Sequence, residues 1–174
     1  ERKIIDFQYY RHGIPIYDYT GLEYAVNVEK IRVNHGVLLD SSNFFEIIQN
    51  LDNVIEFESN YPLSESDLSH LANIKSLEKI VITNAYTVDD STDFSVLENL
   101  PNLKYLNLSS NHIEDISTLT GLTSLEELDL SRNSIRSIEG LENLTNLKKL
   151  NVAFNNIDFN RDPNKTIKEH FMTT

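Results

Sequence analysis

Residues 103–113 read Leu-Lys-Tyr-Leu-Asn-Leu-Ser-Ser-Asn-His-Ile, and two later stretches, 125–135 and 147–157, align with them without gaps. Each stretch begins 22 residues after the one before and follows L-x-x-L-x-L-x-x-N-x-I, with Val152 in place of one leucine. Self-similarity at a short fixed period is the signature of a repeat architecture, in which each unit stacks on its neighbours. The three stretches therefore predict a solenoid.

The alternation within each unit predicts a short strand. Leu106 points inward and Asn107 points to solvent, because side chains alternate along a strand. Successive strands then stack as a parallel sheet. An amide side chain carries two donors and an acceptor, so we expect the asparagines at position nine to form a ladder that pairs buried backbone groups between turns. These asparagines are Asn111, Asn133 and Asn155.

The pattern weakens towards the N-terminus but persists. We place six unit starts near residues 28, 52, 77, 103, 125 and 147, and residues 21–28 also align with residues 140–147. Terminal units of a solenoid must be atypical, because a bare end would expose the core. We therefore expect an N-terminal cap and degenerate half-repeat over 1–27, six repeats over 28–157, and a C-terminal cap or truncated tail over 158–174.

The consecutive 22-residue units resemble the short-repeat class of leucine-rich repeats, which includes internalin-like bacterial surface proteins and a eukaryotic phosphatase-regulator type. The resemblance implies an α/β fold: a right-handed curved solenoid with a parallel β-sheet on the concave side and short 3₁₀ or helical turns on the convex side. It also implies function by protein binding.

Charge and composition narrow the possible partners. The formal net charge is −12, and eleven acidic residues between positions 41 and 100 face only two lysines. Nucleic acids and anionic membrane surfaces would be repelled. The chain has no run of about 18 apolar residues that could span a bilayer. We expect no nucleic-acid binding, no membrane insertion and a monomer.

The side chains that build catalytic and metal sites are sparse. There is no cysteine, and the five histidines are far apart in sequence, so we expect no metal and no cofactor. The acidic stretch 89–93 lacks the alternating ligands of a calcium loop, and it reads more simply as the N-cap of a helix containing Phe94 and Leu97. A carbohydrate-active enzyme with paired carboxylates is an alternative, but an open curved sheet offers no desolvated pocket, so we predict that the chain is not an enzyme.

The candidate binding residues are those at solvent-facing positions. They lie on the strands and on the turns that follow them. The residues at position ten of the units predict an exposed aromatic strip. Aromatic side chains in such a row would supply a large contact area at low entropic cost. The alternative is that these side chains pack against neighbouring turns, and that the charged residues are simply solvated. The candidates on the concave face are Tyr61, Tyr86, Tyr105, Asn107, His112, Glu127, Asp129 and Arg132.

Two hypotheses about function follow. The first is a secreted or cell-surface bacterial module that binds an unidentified protein on its concave face. The second is a cytoplasmic scaffold that holds an enzyme such as a phosphatase. We also expect the irregular units between residues 28 and 100 to contribute most to specific binding.

Overall fold

The structure, a computed structural model, describes residues 3–7, 19, 21–34, 41–85 and 92–158. In these residues seven parallel strands form one open sheet in sequence order. The predicted leucine-rich-repeat solenoid is confirmed. The strands are β1 (Ile4–Phe7), β2 (Lys30–Val33), β3 (Glu56–Ser59), β4 (Lys79–Ile82), β5 (Tyr105–Asn107), β6 (Glu127–Asp129) and β7 (Lys149–Asn151).

One face of the sheet forms a wall of the core. In β5, Leu106 is fully buried while its neighbours Tyr105 and Asn107 are only half-buried, as the alternation predicted. Phe57 and Ile80 occupy the same register position in β3 and β4 and are also fully buried. Burying apolar side chains at the same place in every turn makes one continuous core along the solenoid.

The second unit begins at residue 54, not near residue 52 as the sequence predicted. Glu56 pairs in register with Lys30 on one side and Lys79 on the other, so it occupies position three of its unit. Val54, at position one of this unit, is fully buried, like Leu103 at position one of its own unit. The reason for the shift is that burying Val54 and Phe57 together requires this register.

The segments opposite the sheet differ between the two halves of the chain. Two α-helices, α1 (Ser41–Ile48) and α2 (Glu65–Leu71), lie between β2 and β4, and the other described segments are short 3₁₀ turns. The 22-residue units leave room only for three-residue turns. The 3₁₀ segments are Leu22–Tyr24, Phe94–Asn99, Ser117–Leu119 and Leu141–Asn143.

The segment Phe94–Asn99 begins as the sequence predicted. Asp93 caps the segment containing Phe94 and Leu97, because its carboxylate accepts a hydrogen bond from the Ser95 amide at 2.9 Å. Hydrogen bonds from the Ser95 side chain and from its amide lower the pKa of Asp93. Residues 89–91 of the acidic stretch lie outside the described residues.

The alignment of residues 21–28 with 140–147 is confirmed. Gly21 and Gly140 both adopt left-handed backbone angles, with φ of 95° and 92°, and each precedes a three-residue 3₁₀ segment. In both copies the glycine amide donates to a glutamate two residues later at 2.8 Å. Only glycine adopts this conformation without a steric penalty, so the same residue recurs at both places.

The N-terminal region contains a strand that the sequence did not predict. β1 lies within the residues predicted as a cap, and it pairs with β2 from Ile4 opposite Lys30 to Phe7 opposite Val33. The division of the chain into cap, repeats and tail stays a prediction, and most of the expected tail, residues 159–174, lies outside the described residues.

Candidate functional site: the concave face of the sheet

The concave face is the side of the sheet that points away from the core. Strand register aligns its side chains in two rows that run across all seven strands. The first row consists of Ile4, Lys30, Glu56, Lys79, Tyr105, Glu127 and Lys149. The second row consists of Asp6, Arg32, Glu58, Val81, Asn107, Asp129 and Asn151.

A connected ion-pair network covers the N-terminal part of this face. Lys30 donates hydrogen bonds to Glu56 at 3.1 Å and to Glu58 at 2.6 Å. Arg32 donates to Glu58 and to Asp6, both at 2.8 Å. The exposed fractions of the Lys30, Glu56 and Glu58 side chains are only 11, 12 and 20%. Their charges are therefore satisfied within the sheet.

The network shifts the ionisation of its members. Burial raises the pKa of Glu58, but hydrogen bonds from Lys30 and Arg32 outweigh burial, so the net pKa lies below the ordinary value of 4.5. The hydrogen bonds to Glu58 and Asp6 raise the pKa of Arg32. The charges of Glu58 and Arg32 are thus paired with each other across the two strands.

A less polar area lies in the middle of the face. We call Lys79, Val81, Tyr105 and Asn107, on the adjacent strands β4 and β5, the central patch. Lys79 places its Nζ 5.1 Å from the centroid of the Tyr105 ring, within the range of a cation–π contact. Val81 directs a branched apolar side chain to the solvent side between Glu58 and Asn107. The patch combines an aromatic ring, an aliphatic side chain and a cation.

The C-terminal part of the face is more exposed and is also paired. Lys149 donates to Glu127 at 2.7 Å, and this hydrogen bond raises the pKa of Lys149. Asn151 donates to one carboxylate oxygen of Asp129 at 3.0 Å, and the other oxygen accepts from the Ser131 amide at 2.9 Å. Asp129 therefore holds the turn after its strand as well as facing solvent.

The predicted asparagine ladder is confirmed at the end of the strands. Asn133 donates to the carbonyls of Leu108 at 2.9 Å and Leu130 at 3.0 Å, and it accepts from the Ile113 amide at 3.2 Å. Asn111 and Asn155 make equivalent bonds. Each side chain bridges two turns and leaves no capacity for a ligand, so the ladder supports the concave face and is not part of the binding surface.

The structure brings four of the eight predicted site residues together. They lie on β5 and β6 in the two rows, as predicted, and they are Tyr105, Asn107, Glu127 and Asp129. Arg132 lies on the exposed turn after β6, with a positive φ of 58°. Its guanidinium carbon is 4.7 Å from the centroid of the Phe154 ring, and Phe154 is 74% exposed.

Tyr61 does not lie in the position-ten row that was predicted to hold it together with Tyr86 and His112. With the second unit starting at residue 54, Tyr61 falls at position eight and is out of line with His112. Tyr61 is half-buried against the core, and His112 is exposed on the turn after β5. Tyr86 lies outside the described residues.

Sequence reasoning did not select Lys79, Val81 or the Lys30 network as candidate residues. The network was missed because a unit start at residue 52 would place Glu56 in the same row as Arg32. In the structure Glu56 is paired with Lys30 instead. Val81 was visible in the sequence as an apolar residue at a solvent-facing strand position, and that mismatch was the available signal.

Metal-binding clusters and membrane-spanning helices are absent from the described residues. Among them, no group of three or more His, Asp or Glu side chains is placed to hold a metal ion. No helix within the same ranges has the length and apolar character needed to cross a membrane. What the concave face offers chemically is a set of paired charges, amides and aromatic groups suited to noncovalent contact.

Comparisons with known proteins agree with the repeat register. One leucine rich repeat model matches residues 75–135, and a second, for two copies of the repeat, matches residues 123–162. The search of curated proteins gives no match.

Two solved structures share the fold. An internalin (inlF) from Listeria monocytogenes superposes with a TM-score of 0.56 at 23% identity, over 84% of this chain and 54% of that one. Internalin C2 from the same organism superposes with a TM-score of 0.52 at 23% identity, over 79% of this chain and 67% of that one. The chain thus spans about half the length of the first internalin and about two thirds of the second.

Proposed function

Because the chain is a leucine-rich-repeat protein with the solenoid fold of the internalins, we propose that it is a non-catalytic recognition module that binds a protein partner on its concave face. We further propose that it acts as a secreted or surface protein of a bacterium. Fold alone does not specify function, so the argument depends on the chemistry of the face.

The observation that supports this function best is the composition of the concave face. The central patch, in which a tyrosine and a valine lie beside a lysine and an asparagine, is flanked on both sides by paired polar groups. Protein interfaces have this arrangement, with aromatic anchors at the centre and a polar rim that excludes water. The strands hold the side chains rigidly, so little conformational entropy is lost when a partner binds.

The central and C-terminal strands are better suited to contact than the N-terminal ones. The charged side chains of the Lys30 network are already paired with one another. A partner that displaced one of them would leave another charge buried without its pair. Lys149 and Glu127 have side chains that are 72 and 37% exposed, so they remain accessible at the rim. We therefore place the binding surface on β4 to β7. Of these strands only β4 belongs to the irregular units between residues 28 and 100, which were expected to contribute most.

Site-specific photo-crosslinking tests the proposal. Tyr105, at the centre of the face, and Glu98, exposed on the opposite side in the segment Phe94–Asn99, are replaced in turn by p-benzoylphenylalanine. We expect a discrete protein adduct from position 105. Unlabelled wild-type protein should prevent this adduct by competing for the partner, whereas Tyr105→Ala protein should compete poorly. Adducts formed only from position 98 would contradict the concave-face proposal.

The proposed location needs its own measurement. Antibody detection in fractionated source cells should find the protein in the medium or on the cell surface. Exclusive detection in the cytoplasm would contradict a surface role and favour the regulatory-scaffold alternative.

A further inference from the structure

We propose that the partner contacts the central patch through an apolar side chain with a single carboxylate beside it, and that Lys79 receives this carboxylate. The inference rests on the proposed function and specifies the chemistry of the partner at that same face.

Lys79 differs from the other cations on the concave face. Lys30, Arg32 and Lys149 each donate a hydrogen bond to a carboxylate at 3.1 Å or less. The closest described carboxylate oxygen to the Lys79 Nζ is that of Glu58, at 3.8 Å, beyond hydrogen-bond distance. Glu58 is itself already hydrogen-bonded by Lys30 and Arg32. Lys79 therefore has donor capacity that the sheet does not use.

The side chains around Lys79 indicate which kind of partner side chain lies next to the carboxylate that Lys79 binds. Val81 is two residues along the same strand, about 7 Å away, and Tyr105 is on the next strand, about 5 Å away. Both are half-buried and face solvent, so an apolar side chain placed between them would remove apolar surface from water. Adjacent residues of a bound segment can span these distances.

The overall charge limits how acidic the partner segment is. With a net charge of −12, the chain repels polyanions at long range. One lysine with unused hydrogen-bond donors offers a contact for one carboxylate, not for an acidic cluster. The geometry points to an apolar anchor with one neighbouring acidic residue.

Titration with defined peptides tests the inference without a known partner. Four capped hexapeptides differ only in their central pair, which is Phe-Asp, Phe-Asn, Phe-Lys or Ala-Asp. Binding is followed by chemical-shift changes in isotope-labelled protein at Lys79, Val81, Tyr105 and Asn107. We expect Phe-Asp to bind about two- to fivefold more tightly than Phe-Asn, as for an exposed ion pair, with Phe-Lys weaker still and Ala-Asp weakest.

Two variants make the test specific. Lys79→Gln should abolish the preference for Phe-Asp over Phe-Asn. Arg136→Gln removes the same charge from a side chain that pairs with Glu114 at 3.1 Å away from the strands, and it should leave the preference intact.

The outcomes separate this inference from the proposed function. If Phe-Lys binds most tightly, if Lys79→Gln keeps the Asp preference, or if the shifts lie outside the patch, the inference is wrong even when Tyr105 cross-links to a partner. Cross-links from Glu98 alone would overturn the concave-face function, whatever the peptide ranking.

Discussion

At the scale of single residues, the ladder asparagines show how one side chain type stabilises every turn. Each amide group meets backbone groups of its own turn and of a neighbouring turn, for example the Leu108 and Leu130 carbonyls around Asn133. Asn133 is itself only 9% exposed, so water cannot replace these bonds. Losing the Asn133 side chain leaves the Ile113 amide unsatisfied, which costs more than an average hydrogen bond contributes.

Asn133→Ala should lower the free energy of unfolding by about 2 kcal/mol, because it leaves the buried Ile113 amide without its acceptor. It also removes one of the two asparagine donors from each of the Leu108 and Leu130 carbonyls, which keep their bonds from Asn111 and Asn155. Urea unfolding followed by circular dichroism measures the change. The control is Asn102→Ala, which removes an exposed amide that donates to the Lys75 carbonyl at 2.9 Å. The control should lose no more than about 1 kcal/mol; equal losses would mean that burial of the amide is unimportant.

At the scale of elements, neighbouring strands are joined by backbone bonds and, on the N-terminal strands, by charge pairs. Glu58 on β3 bridges Lys30 and Arg32 on β2, so its ionisation couples the two strands. A carboxylate whose pKa is lower in the folded than in the unfolded state stabilises the fold above its unfolded pKa. That contribution is lost as the pH falls through the folded value.

The stability difference between wild-type protein and Glu58→Gln should therefore be largest near neutral pH and shrink below the ordinary carboxylate pKa of 4.5. Urea unfolding midpoints of both proteins, measured from pH 7 down to pH 3, test whether the stability difference shrinks as the pH falls. Glu98→Gln, an exposed change on a 3₁₀ segment, is the comparison and should track the wild type. A Glu58→Gln difference that stays constant over the whole range would argue against the ion-pair contribution.

At the scale of the whole molecule, charge is distributed unevenly between the two sides of the solenoid. The ionisable side chains of the strands on the concave face are nearly balanced, with five acidic and four basic residues. The segments between the strands hold most of the remaining acidic residues. The concave face is thus close to neutral while the molecule as a whole is strongly acidic.

This distribution predicts no detectable binding of duplex DNA or heparin at an ionic strength of about 0.15 M. Fluorescence anisotropy with a labelled duplex tests the expectation, and a basic protein of similar size serves as the positive control. Salt-sensitive binding of either polyanion would contradict it.

Stability should also vary along the solenoid, because each unit contacts only its neighbours. Leu106→Ala, in a fully buried central position, should cost about 3 kcal/mol, whereas Leu150→Ala at half-buried β7 should cost about 1 kcal/mol. Hydrogen exchange should show opening confined to the C-terminal units for Leu150→Ala. Equal global destabilisation by both changes would contradict nearest-neighbour coupling.

The sequence by itself determined the repeat, the register from Leu103 onward and the asparagine ladder. These features depend on residues whose burial is enforced in every turn, so they leave a local periodic signal. The alignment of Gly21 with Gly140 was readable for the same reason, because a left-handed backbone position selects glycine.

Only the tertiary structure decided the start of the second unit at Val54, the strand β1, and which charges on the concave face pair. The N-terminal units lack the leucines and asparagines that mark the register, so their strands are aligned by pairing with neighbours. The separation of Lys79 from a hydrogen-bonded carboxylate likewise depends on residues more than twenty positions apart in sequence. Such contacts are set by through-space packing and charge, which no local pattern encodes.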